Sequence, residues 1–411
     1  MIELIVLTGL AIVCFDFLFV VRSSAFLGEK QEESLSENPR QALVMILAVY
    51  EETETIEEAI KFLESNDLQG ITQIIIVGNA RERNGDGINP TLKLANKVVT
   101  RPDFIKILEC NIAGAIKAHQ VNFAASQIDT ETDHTWLYVM DVDTRFTQQN
   151  VKLLRTAMLQ EHAIIQQHTH FLEGYDNNSI VGKSFAAHQT RWTLAHEMTR
   201  IWLYNKFRVG VYHLVGHGMC IKCSTFKELG GFSETVKIED IHFGYMCCMK
   251  GYKVRSIGLL EGSDTPAELK SLWQQQYGWS LGAFQIQLYW RLLLDTGFQP
   301  SPYNRIQNAF CVWNYIRWLG QSIFMWFMLF LLLFGVQAYL VSIFFAIYIL
   351  SFWISGLAMK RKEVLNDALL VAFVALGFLN SFIRSFPVIN CFFDQLRGVE
   401  RKKYKTRHRK L

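Results

Sequence analysis

The hydrophobic residues of this chain are concentrated towards its two ends, and this constrains the fold more than any other feature. Residues 1–21 read MIELIVLTGLAIVCFDFLFVV, an apolar run of membrane-spanning length that Glu3 and Asp16 interrupt. The run lacks the basic start and the small-residue cleavage site of a signal peptide, so we expect an uncleaved anchor over residues 1–22. From residue 316 the sequence is apolar for long enough to make two spans with a tight turn. A C-terminal transmembrane region is therefore predicted over residues 316–397.

Basic residues follow the predicted spans. Lys360, Arg361 and Lys362 come after the third span, and residues 398–411 form a basic tail. Because cytoplasmic loops carry the excess of Lys and Arg, we expect a multi-pass protein of the inner or plasma membrane with its polar domain in the cytoplasm. Beside a membrane, such a tail binds anionic lipid more often than nucleic acid, so membrane lipid is an expected partner and nucleic acid is not. Residues 363–397 must then return the chain to the cytoplasm, either as a short hairpin or as one partly submerged helix.

The stretch between the apolar ends has the composition of a globular domain. Residues 23–40 are polar and charged and are predicted to be a tether. Strand-like runs at 42–50, 71–79 and 135–143 then alternate with helical patterns. Short continuous apolar runs between helices are typical of a parallel sheet that is covered on both faces. The sequence therefore predicts an α/β domain with a mostly parallel sheet over residues 41–262.

Polar side chains follow each predicted strand, and the third strand ends in DVD. In parallel α/β sheets, ligands bind where the strands end at their carboxyl side. Asp141 and Asp143, two residues apart, can both address one oxygen-seeking cation, and Mg²⁺ or Mn²⁺ held in this way bridges to substrate phosphates. A lone DxD is a weak signal, because a solvated turn or an Asx cap explains most of them.

A second acidic pair, Glu239 and Asp240, precedes a helical stretch. A carboxylate at this position either caps the helix or acts as a general base that takes a proton from a hydroxyl group. Further upstream, Gly216 and Gly218 flank His217 and permit the backbone to approach a ligand closely. A lone histidine is more often structural than catalytic.

The eight cysteines do not form the pattern of a disulfide framework. Cys220 and Cys223 make a CxxC, and Cys247 and Cys248 are adjacent, which makes a four-cysteine zinc site conceivable. The second pair lacks the usual spacing of two residues, so reduced cysteines within an α/β core are favoured.

The order and spacing of these motifs resemble family 2 glycosyltransferases. LAVYEETETIEEAI, KAHQVNFA, DVD, GHG with LGGF, ED and QQYGW follow one another over residues 43–283 as they do in that family, and YKTRH at 404–408 resembles the ending of many bacterial members. The resemblance extends to relatives of the cellulose, chitin and hyaluronan synthases. It implies a membrane-bound, inverting enzyme with the GT-A fold, in which a Rossmann-like, mostly parallel sheet is joined to N-terminal and C-terminal transmembrane helices.

The resemblance also implies a role for each matching position. The donor nucleotide would be bound by Ala48, Tyr50, Glu52, Asn79, Lys117 and Asp141. Asp143, together with Asp141, would hold Mg²⁺ or Mn²⁺, and the catalytic carboxylates would be Asp240, as the base, and Glu239. The acceptor would be bound by Gly216, His217, Gly218, Gln275, Gln276 and Trp279.

Two positions depart from the family pattern. Gly78 and Asn79 replace aspartates that contact the nucleotide base, and Asn79 carries no charge. UDP, the family default, is therefore the expected nucleotide, with GDP as an open alternative. Gly278 stands where processive members have an arginine that offers a charged fork to the diphosphate. Interfacial aromatic residues around Trp279 predict amphipathic helices along the membrane surface over residues 263–315.

The expected function is transfer of a sugar from a nucleotide-sugar donor to a saccharide or lipid-linked acceptor at the cytoplasmic membrane face, for polysaccharide or glycolipid synthesis. An inverting displacement needs one base and a neutralised diphosphate, whereas a hydrolase would use two carboxyl groups without a metal. Processive synthesis and single transfer both stay open. The alternative is a catalytically degenerate relative that binds nucleotide or saccharide as a partner subunit.

Overall fold

The computed structural model describes residues 1–29, 41–65, 68–112, 114–128, 134–160, 162–266 and 268–399. These residues form two compact units. The sheet unit contains the described residues of 41–169 and 212–263, and the helical unit contains 1–29, 170–211 and 264–399. Residues 30–40 of the predicted tether and 400–411 of the predicted tail lie outside the described residues.

The secondary structure alternates between helices and strands up to residue 262 and is helical beyond it. The helices are α1 (Ile2–Gly28), α2 (Ile56–Ser65), α3 (Pro90–Val98), α4 (Lys117–Ser126), α5 (Gln148–Met158), α6 (Ile180–Trp192), α7 (Met198–Phe207), α8 (Cys223–Glu228), α9 (Glu239–Met249), α10 (Leu269–Phe284), α11 (Ile286–Asp295), α12 (Pro302–Leu333), α13 (Ala338–Arg361), α14 (Asp367–Ile383) and α15 (Ser385–Leu396). The strands are β1 (Ala42–Ala48), β2 (Gln73–Asn79), β3 (Ile105–Cys110), β4 (Thr135–Met140), β5 (Ile164–His170), β6 (Met219–Lys222) and β7 (Val254–Gly262).

The seven strands form one sheet in the order β3-β2-β1-β4-β6-β5-β7. Strands β3, β2, β1 and β4 are parallel, and β6 runs antiparallel to both β4 and β5. The five central residues of β1 and all six residues of β4 are buried. Burial of consecutive residues means that both faces of the sheet are covered, as in an α/β fold. The predicted mostly parallel α/β sheet is confirmed.

Strand β5 is polar and yet completely buried. Its sequence IIQQHTH has no apolar residue after the first two, but all seven residues are buried. Gln166 shows how the cost of burying these groups is offset. Its amide donates to the carbonyl of His217 at 3.0 Å, and its side-chain oxygen accepts from the backbone nitrogen of Val215 at 3.0 Å. The polar strand therefore holds the loop that leads into β6.

Within the described ranges, four helical segments are long and apolar enough to cross a membrane: Ile2–Gly28, Pro302–Leu333, Ala338–Arg361 and Asp367–Leu396. The last segment consists of α14 and α15, which are joined at Arg384 with helical dihedral angles (φ −57°, ψ −23°). Of the two alternatives for residues 363–397, the structure shows one bent helix and no hairpin, and Pro387 lies in the first turn of α15.

The helical unit also contains residues 170–211, which lie inside the range predicted for the catalytic domain. In this segment α6 and α7 are joined by a π-helical turn over Thr193–Glu197. The boundaries of the predicted domains stay a prediction.

Gln120 of α4 fastens the ends of β1 and β2 together, which generates a prediction about stability. Its amide nitrogen donates to the carbonyls of Val49 and Val77, both at 2.8 Å, and the residue is buried. Gln120→Met keeps the side-chain volume but leaves two carbonyl groups without this donor, so we expect it to lower the free energy of unfolding by about 1–3 kcal/mol. Thermal unfolding of the purified protein measures the change. Gln160→Met, at an exposed position, is the matched control, and equal midpoints for the two variants would contradict the prediction.

Candidate active site

The carboxyl ends of β1, β2 and β4 lie side by side, because β1 pairs in parallel with both of the other strands. Ala48 closes β1, Asn79 closes β2, and Asp141 directly follows β4. The polar groups that the sequence places after its strands therefore meet at one edge of the sheet, which is where parallel α/β sheets bind ligands.

Asp143 is fixed in a buried position at this edge. Its side chain accepts a hydrogen bond from the hydroxyl of Ser263 at 2.9 Å. The loop that carries it is held to the end of β7 by two backbone hydrogen bonds between Arg145 and Gly262, at 2.8 and 2.7 Å. Asp141, two residues earlier, has a side chain that is 37% exposed. One carboxylate is thus rigid and the other is accessible.

These two carboxylates suit a cation that takes its remaining ligands from water and phosphate. Among the described residues, no group of three or more His, Cys, Asp or Glu side chains is arranged to hold a metal. Mg²⁺ and Mn²⁺ are commonly bound by one or two carboxylates together with substrate phosphates. The donor set of Asp141 and Asp143 fits that mode of binding.

Lys117, the first residue of α4, connects Asp141 to the GHG loop. Its ammonium group donates to Asp141 Oδ1 at 2.5 Å and to the carbonyl of Gly216 at 2.9 Å. Burial by itself would lower the pKa of Lys117, but the nearby charges of Asp141 and Glu239 outweigh it and raise the pKa above its usual value. The ammonium therefore stays charged and neutralises this edge of the sheet.

Asp240 lies in the first turn of α9 and receives two backbone hydrogen bonds. Gly216 N donates to Oδ2 at 2.6 Å, and Ile241 N donates to Oδ1 at 2.7 Å. Burial, and next the charge of Glu239, raise the pKa of Asp240 to about 6, although Lys117 and the two hydrogen bonds act in the opposite direction. A carboxylate with a pKa near the working pH is suited to accept a proton.

His217 belongs to a buried network that the sequence does not reveal. Its Nδ1 lies 2.9 Å from the hydroxyl of Thr169 and 3.3 Å from the carboxylate of Glu261, which also accepts from the hydroxyl of Tyr138 at 3.1 Å. Burial would lower the pKa of His217, but the hydrogen bond to Glu261 and the charge of Asp141 raise it to about 9. The imidazole is therefore protonated at neutral pH.

The two glycines of the GHG loop lie where a side chain would collide with the site. A Cβ at Gly216 would lie 2.7 Å from Asp240 Oδ2 and 3.3 Å from Lys117 Nζ. Gly218 has a φ of +72°, and a Cβ there would lie 2.3 Å from the carbonyl of Gln167. The sequence predicts that the backbone of this loop approaches a ligand closely. In the structure the backbone at both glycines does make close approaches, and the atoms that it approaches belong to the protein.

The predicted donor-binding residues are held by contacts within the sheet unit. The guanidinium of Arg81 lies over the ring of Tyr50 at 5.3 Å. The carboxylate of Glu52 accepts from the hydroxyl of Thr55 at 2.5 Å. Asn79 is buried, donates to the carbonyl of Ala115 at 2.6 Å and accepts from Arg81 N at 3.0 Å. The side chain of Asn79 therefore organises the backbone after β2, and its contact with a nucleotide base stays a prediction.

The predicted acceptor residues Gln275, Gln276 and Trp279 lie on α10 in the helical unit. Gln276 is buried, and the ring of Trp279 lies 6.1 Å from that of Phe185. At Gly278 a Cβ would meet no atom within 4 Å. Their role towards an acceptor stays a prediction.

Three groups that shape the site could not be found by motif. Glu261 lies on β7, Ser263 follows that strand, and Thr169 lies on the polar strand β5. In the sequence these residues stand out only as polar or charged residues in or directly after a strand pattern. Such a pattern does not show which residues they contact.

Comparison with known proteins assigns the family. A sequence profile of Glycosyl transferase family group 2 matches residues 136–359, which is more than half of the chain. The chain belongs to this family and is a glycosyltransferase. No curated protein sequence matches it.

The fold is similar to that of the mannosyltransferase PcManGT from Pyrobaculum calidifontis, solved in complex with GDP-Man and Mn²⁺. The TM-score is 0.54 and the sequence identity is 13%, with coverage of 97% of this chain and 100% of that chain. At this identity the similarity concerns the fold, and it confirms the GT-A architecture.

Gly218 provides a test of the close approach within the site. In Gly218→Ala the new methyl group meets both an unfavourable φ and the carbonyl of Gln167, so we expect a large fall in thermal stability and in activity. Gly230→Ala is the matched control, because Gly230 has a similar φ of +83° but nothing within 4 Å of the added Cβ. The control should show only the conformational cost of about 1–2 kcal/mol. Equal effects of the two substitutions would contradict this account of the loop.

Proposed function

We propose that this family 2 glycosyltransferase transfers a sugar, with inversion, from a UDP-linked donor to a saccharide or lipid-linked acceptor at the cytoplasmic membrane face. The observation that carries the proposal is the chain of contacts from Asp141 through Lys117 and Gly216 to Asp240. This chain of contacts joins the ammonium group of Lys117, which suits the donor diphosphate, to the carboxylate of Asp240, which suits the role of base.

In the proposed reaction, Asp240 takes the proton of the acceptor hydroxyl as its oxygen attacks the anomeric carbon of the donor sugar. The bond from that carbon to the diphosphate breaks, and the nucleoside diphosphate leaves with the electron pair. The ammonium of Lys117 offsets the negative charge that develops on the leaving group. Asp141 and Asp143 would hold Mg²⁺ or Mn²⁺, which when bound supplies further neutralisation of the diphosphate.

Glu239 and His217 support this proposal through their charges. Glu239 is buried beside Asp240 and helps to raise its pKa, so that the base accepts a proton more readily. The protonated His217 places a positive charge at the GHG loop, which suits a position beside an acceptor oxygen. The proposed acceptor-binding residues also include Gln275, Gln276 and Trp279, whose role is supported by the family resemblance alone.

For the nucleotide, two observations point in different directions. The family default is UDP, whereas PcManGT, which shares the fold, was solved with GDP-Man. Because the side chain of Asn79 is hydrogen-bonded to backbone groups, we propose that Tyr50 and its neighbour Arg81 select the nucleotide base. The test below therefore includes donors of both kinds.

We further propose that the sheet unit faces the cytoplasm and that α14–α15 is partly submerged. A full crossing by this helix would put the basic tail on the side opposite to Lys360 and Arg361, which the distribution of basic residues disfavours. The contact of α15 with α10, where the hydroxyl of Tyr277 donates to Asp394 at 3.1 Å, supports a position near the membrane surface.

A donor panel tests the proposed function. Full-length protein in detergent is incubated with UDP-linked and GDP-linked sugars, Mn²⁺ and membrane lipid acceptors, and release of nucleoside diphosphate is measured. We expect release from a UDP-linked donor, its loss on chelation of divalent cations and its recovery when Mn²⁺ is returned. Release from GDP-linked donors alone would overturn the assigned nucleotide. If no donor is turned over, the non-catalytic binding protein becomes the better account.

Replacement of the base gives a sharper test. Asp240→Asn keeps the size of the side chain but removes its basicity, so we expect the transfer rate to fall by about 10²–10⁴-fold while donor binding is retained. Asp103→Asn, an exposed aspartate of the same unit, is the control and should keep full activity. Full transfer by a folded Asp240→Asn protein would rule out this base.

The pH dependence follows from the raised pKa of Asp240. The active form of the base is deprotonated, so kcat/KM should be constant above about pH 6 and fall tenfold per pH unit below it. Glu239→Gln removes a negative charge that raises this pKa, and the acidic limb should therefore move to lower pH. An acidic limb that stays in place in Glu239→Gln would contradict the proposed electrostatic coupling.

A further inference from the structure

Four arginines converge inside the helical unit. This arginine cluster consists of Arg191, Arg200, Arg317 and Arg384. Arg191 is completely buried, and Arg384 and Arg200 are 3% and 8% exposed. The guanidinium groups of Arg200 and Arg384 both lie near the ring of Trp192, at 5.9 and 5.4 Å. Arg317 Nη2 lies 3.2 Å from Nδ1 of His196, whose ring is 3.9 Å from that of Trp192. Arg191 lies over the ring of Phe352, which packs against His188, the partner of Arg384.

The acidic residues close to the cluster do not balance its charge. Asp16 forms an ion pair with Arg317 at 3.1 Å, and Glu197 is the one acidic residue within segment 180–207. Four positive charges are thus set against two negative ones. Within the described part of the chain, neither Arg191 nor Arg384 forms an ion pair with a carboxylate. Burial of a charge without a counter-charge costs free energy, which indicates that a further anion neutralises the arginine cluster.

Neutral groups hold the two arginines that lack a carboxylate. Arg191 Nε donates to the hydroxyl of Ser351 at 2.6 Å, and its guanidinium lies over the ring of Tyr348 at 4.5 Å. Arg384 Nη1 lies 3.3 Å from Nε2 of His188. These contacts orient the guanidinium groups without neutralising them.

Several buried hydrogen-bonding groups in this region have no partner among the residues described. They are Nη1 and Nη2 of Arg191, Nε of Arg384, and both amide atoms of Asn380, which precedes Arg384 by one helical turn. A guanidinium with both terminal nitrogens available presents the fork that binds phosphate or carboxylate through two parallel hydrogen bonds. The unsatisfied groups are therefore of the kind that an oxyanion would satisfy.

The π turn between α6 and α7 brings two of these arginines to one side. Arg200 follows Arg191 by nine positions, and in a regular α-helix nine steps of about 100° would put them on opposite faces. The π turn at Thr193–Glu197 absorbs about one residue, which reduces their separation to roughly 80°. Such turns are frequent at functional sites, and this one turns Arg191 and Arg200 towards the same side of the α6–α7 segment.

We propose that the arginine cluster binds the phosphate group of an anionic membrane lipid. Arg191, Arg384 and the groups that contact them lie on α6, on α13 and on the α14–α15 helix, and the last two are apolar enough to cross a membrane. A ligand that reaches a site among such helices must carry an apolar portion, because a free phosphate would lose its hydration in the apolar surroundings before it reached the arginines. The site is independent of the sugar transfer proposed above and does not require that reaction.

Lipid-dependent stability tests the proposal in the full-length protein. Thermal unfolding is followed in neutral detergent with phosphatidic acid, with phosphatidylcholine of the same acyl chains, and with inorganic phosphate. We expect phosphatidic acid to raise the midpoint saturably by about 5 °C and the other two additions to leave it unchanged. An equal shift with inorganic phosphate would show a site for a soluble anion and overturn the lipid assignment. The absence of a shift with phosphatidic acid would overturn the site itself.

Substitutions assign the shift to the cluster. Arg191→Met and Arg384→Met should abolish the response to phosphatidic acid, whereas Arg305→Met, at an exposed arginine of α12, should keep it. Removal of an uncompensated buried charge is often neutral or stabilising, so both variants should unfold in lipid-free detergent at or above the wild-type midpoint. A large loss of stability there would mean that the arginines serve packing and would contradict the proposal. Arg191→Lys, which keeps the charge but loses the fork, should respond more weakly than wild type; an undiminished response would contradict bidentate binding.

Discussion

The candidate active site at the carboxyl edge of the sheet depends on the interactions of the Lys117 ammonium group. This group lies between a carboxylate at the end of β4 and a backbone carbonyl of the GHG loop, and so it ties the sheet to a loop that is distant in the chain. Without that positive charge, Asp141, Glu239 and Asp240 would repel one another at close range. In the proposed reaction, Asp141 and Asp143 then hold the cation of the donor diphosphate, while Asp240 acts as the base. The parallel strands bring the carboxylates to one edge of the sheet, and the positive charge of Lys117 offsets the repulsion among them.

The helical unit presents the opposite electrostatic situation. The sheet unit gathers carboxylates around one cation, whereas the interior of the helical unit gathers guanidinium groups with too few carboxylates. In surroundings of low polarity neither arrangement is stable without counter-ions, and both point to ligands of complementary charge. In our proposals the first centre would receive a soluble nucleotide sugar with its metal, and the second the phosphate of a membrane lipid. One chain would then bind phosphate groups from both water and membrane.

The parts of this structure that follow a regular period could be predicted from the sequence. The apolar ends, the strands β1, β2 and β4 and the polar residues at their ends were all predicted, because each depends on hydrophobic pattern or on local spacing. Strand β5 escaped prediction, since the polar residues of IIQQHTH make their hydrogen bonds with segments far away in the chain, as Gln166 does with His217. Glu261 and Ser263 escaped for the same reason, because their importance lies in which residues they meet. The π turn and the convergence of the arginines depend on helix packing, which no motif encodes.

The hydrogen bonds on either side of the Gly216 residue have a consequence for how the site can change over evolution. Its nitrogen donates to Asp240 and its carbonyl accepts from Lys117, so the proposed base and the proposed diphosphate-binding lysine share one short piece of backbone. Substitutions that are in contact through a shared partner do not act independently. A replacement of Asp141 would alter what a later replacement of Asp240 costs, and the order in which such changes arose would matter. Descendants of this enzyme would therefore be expected to retain or to lose the two carboxylates together.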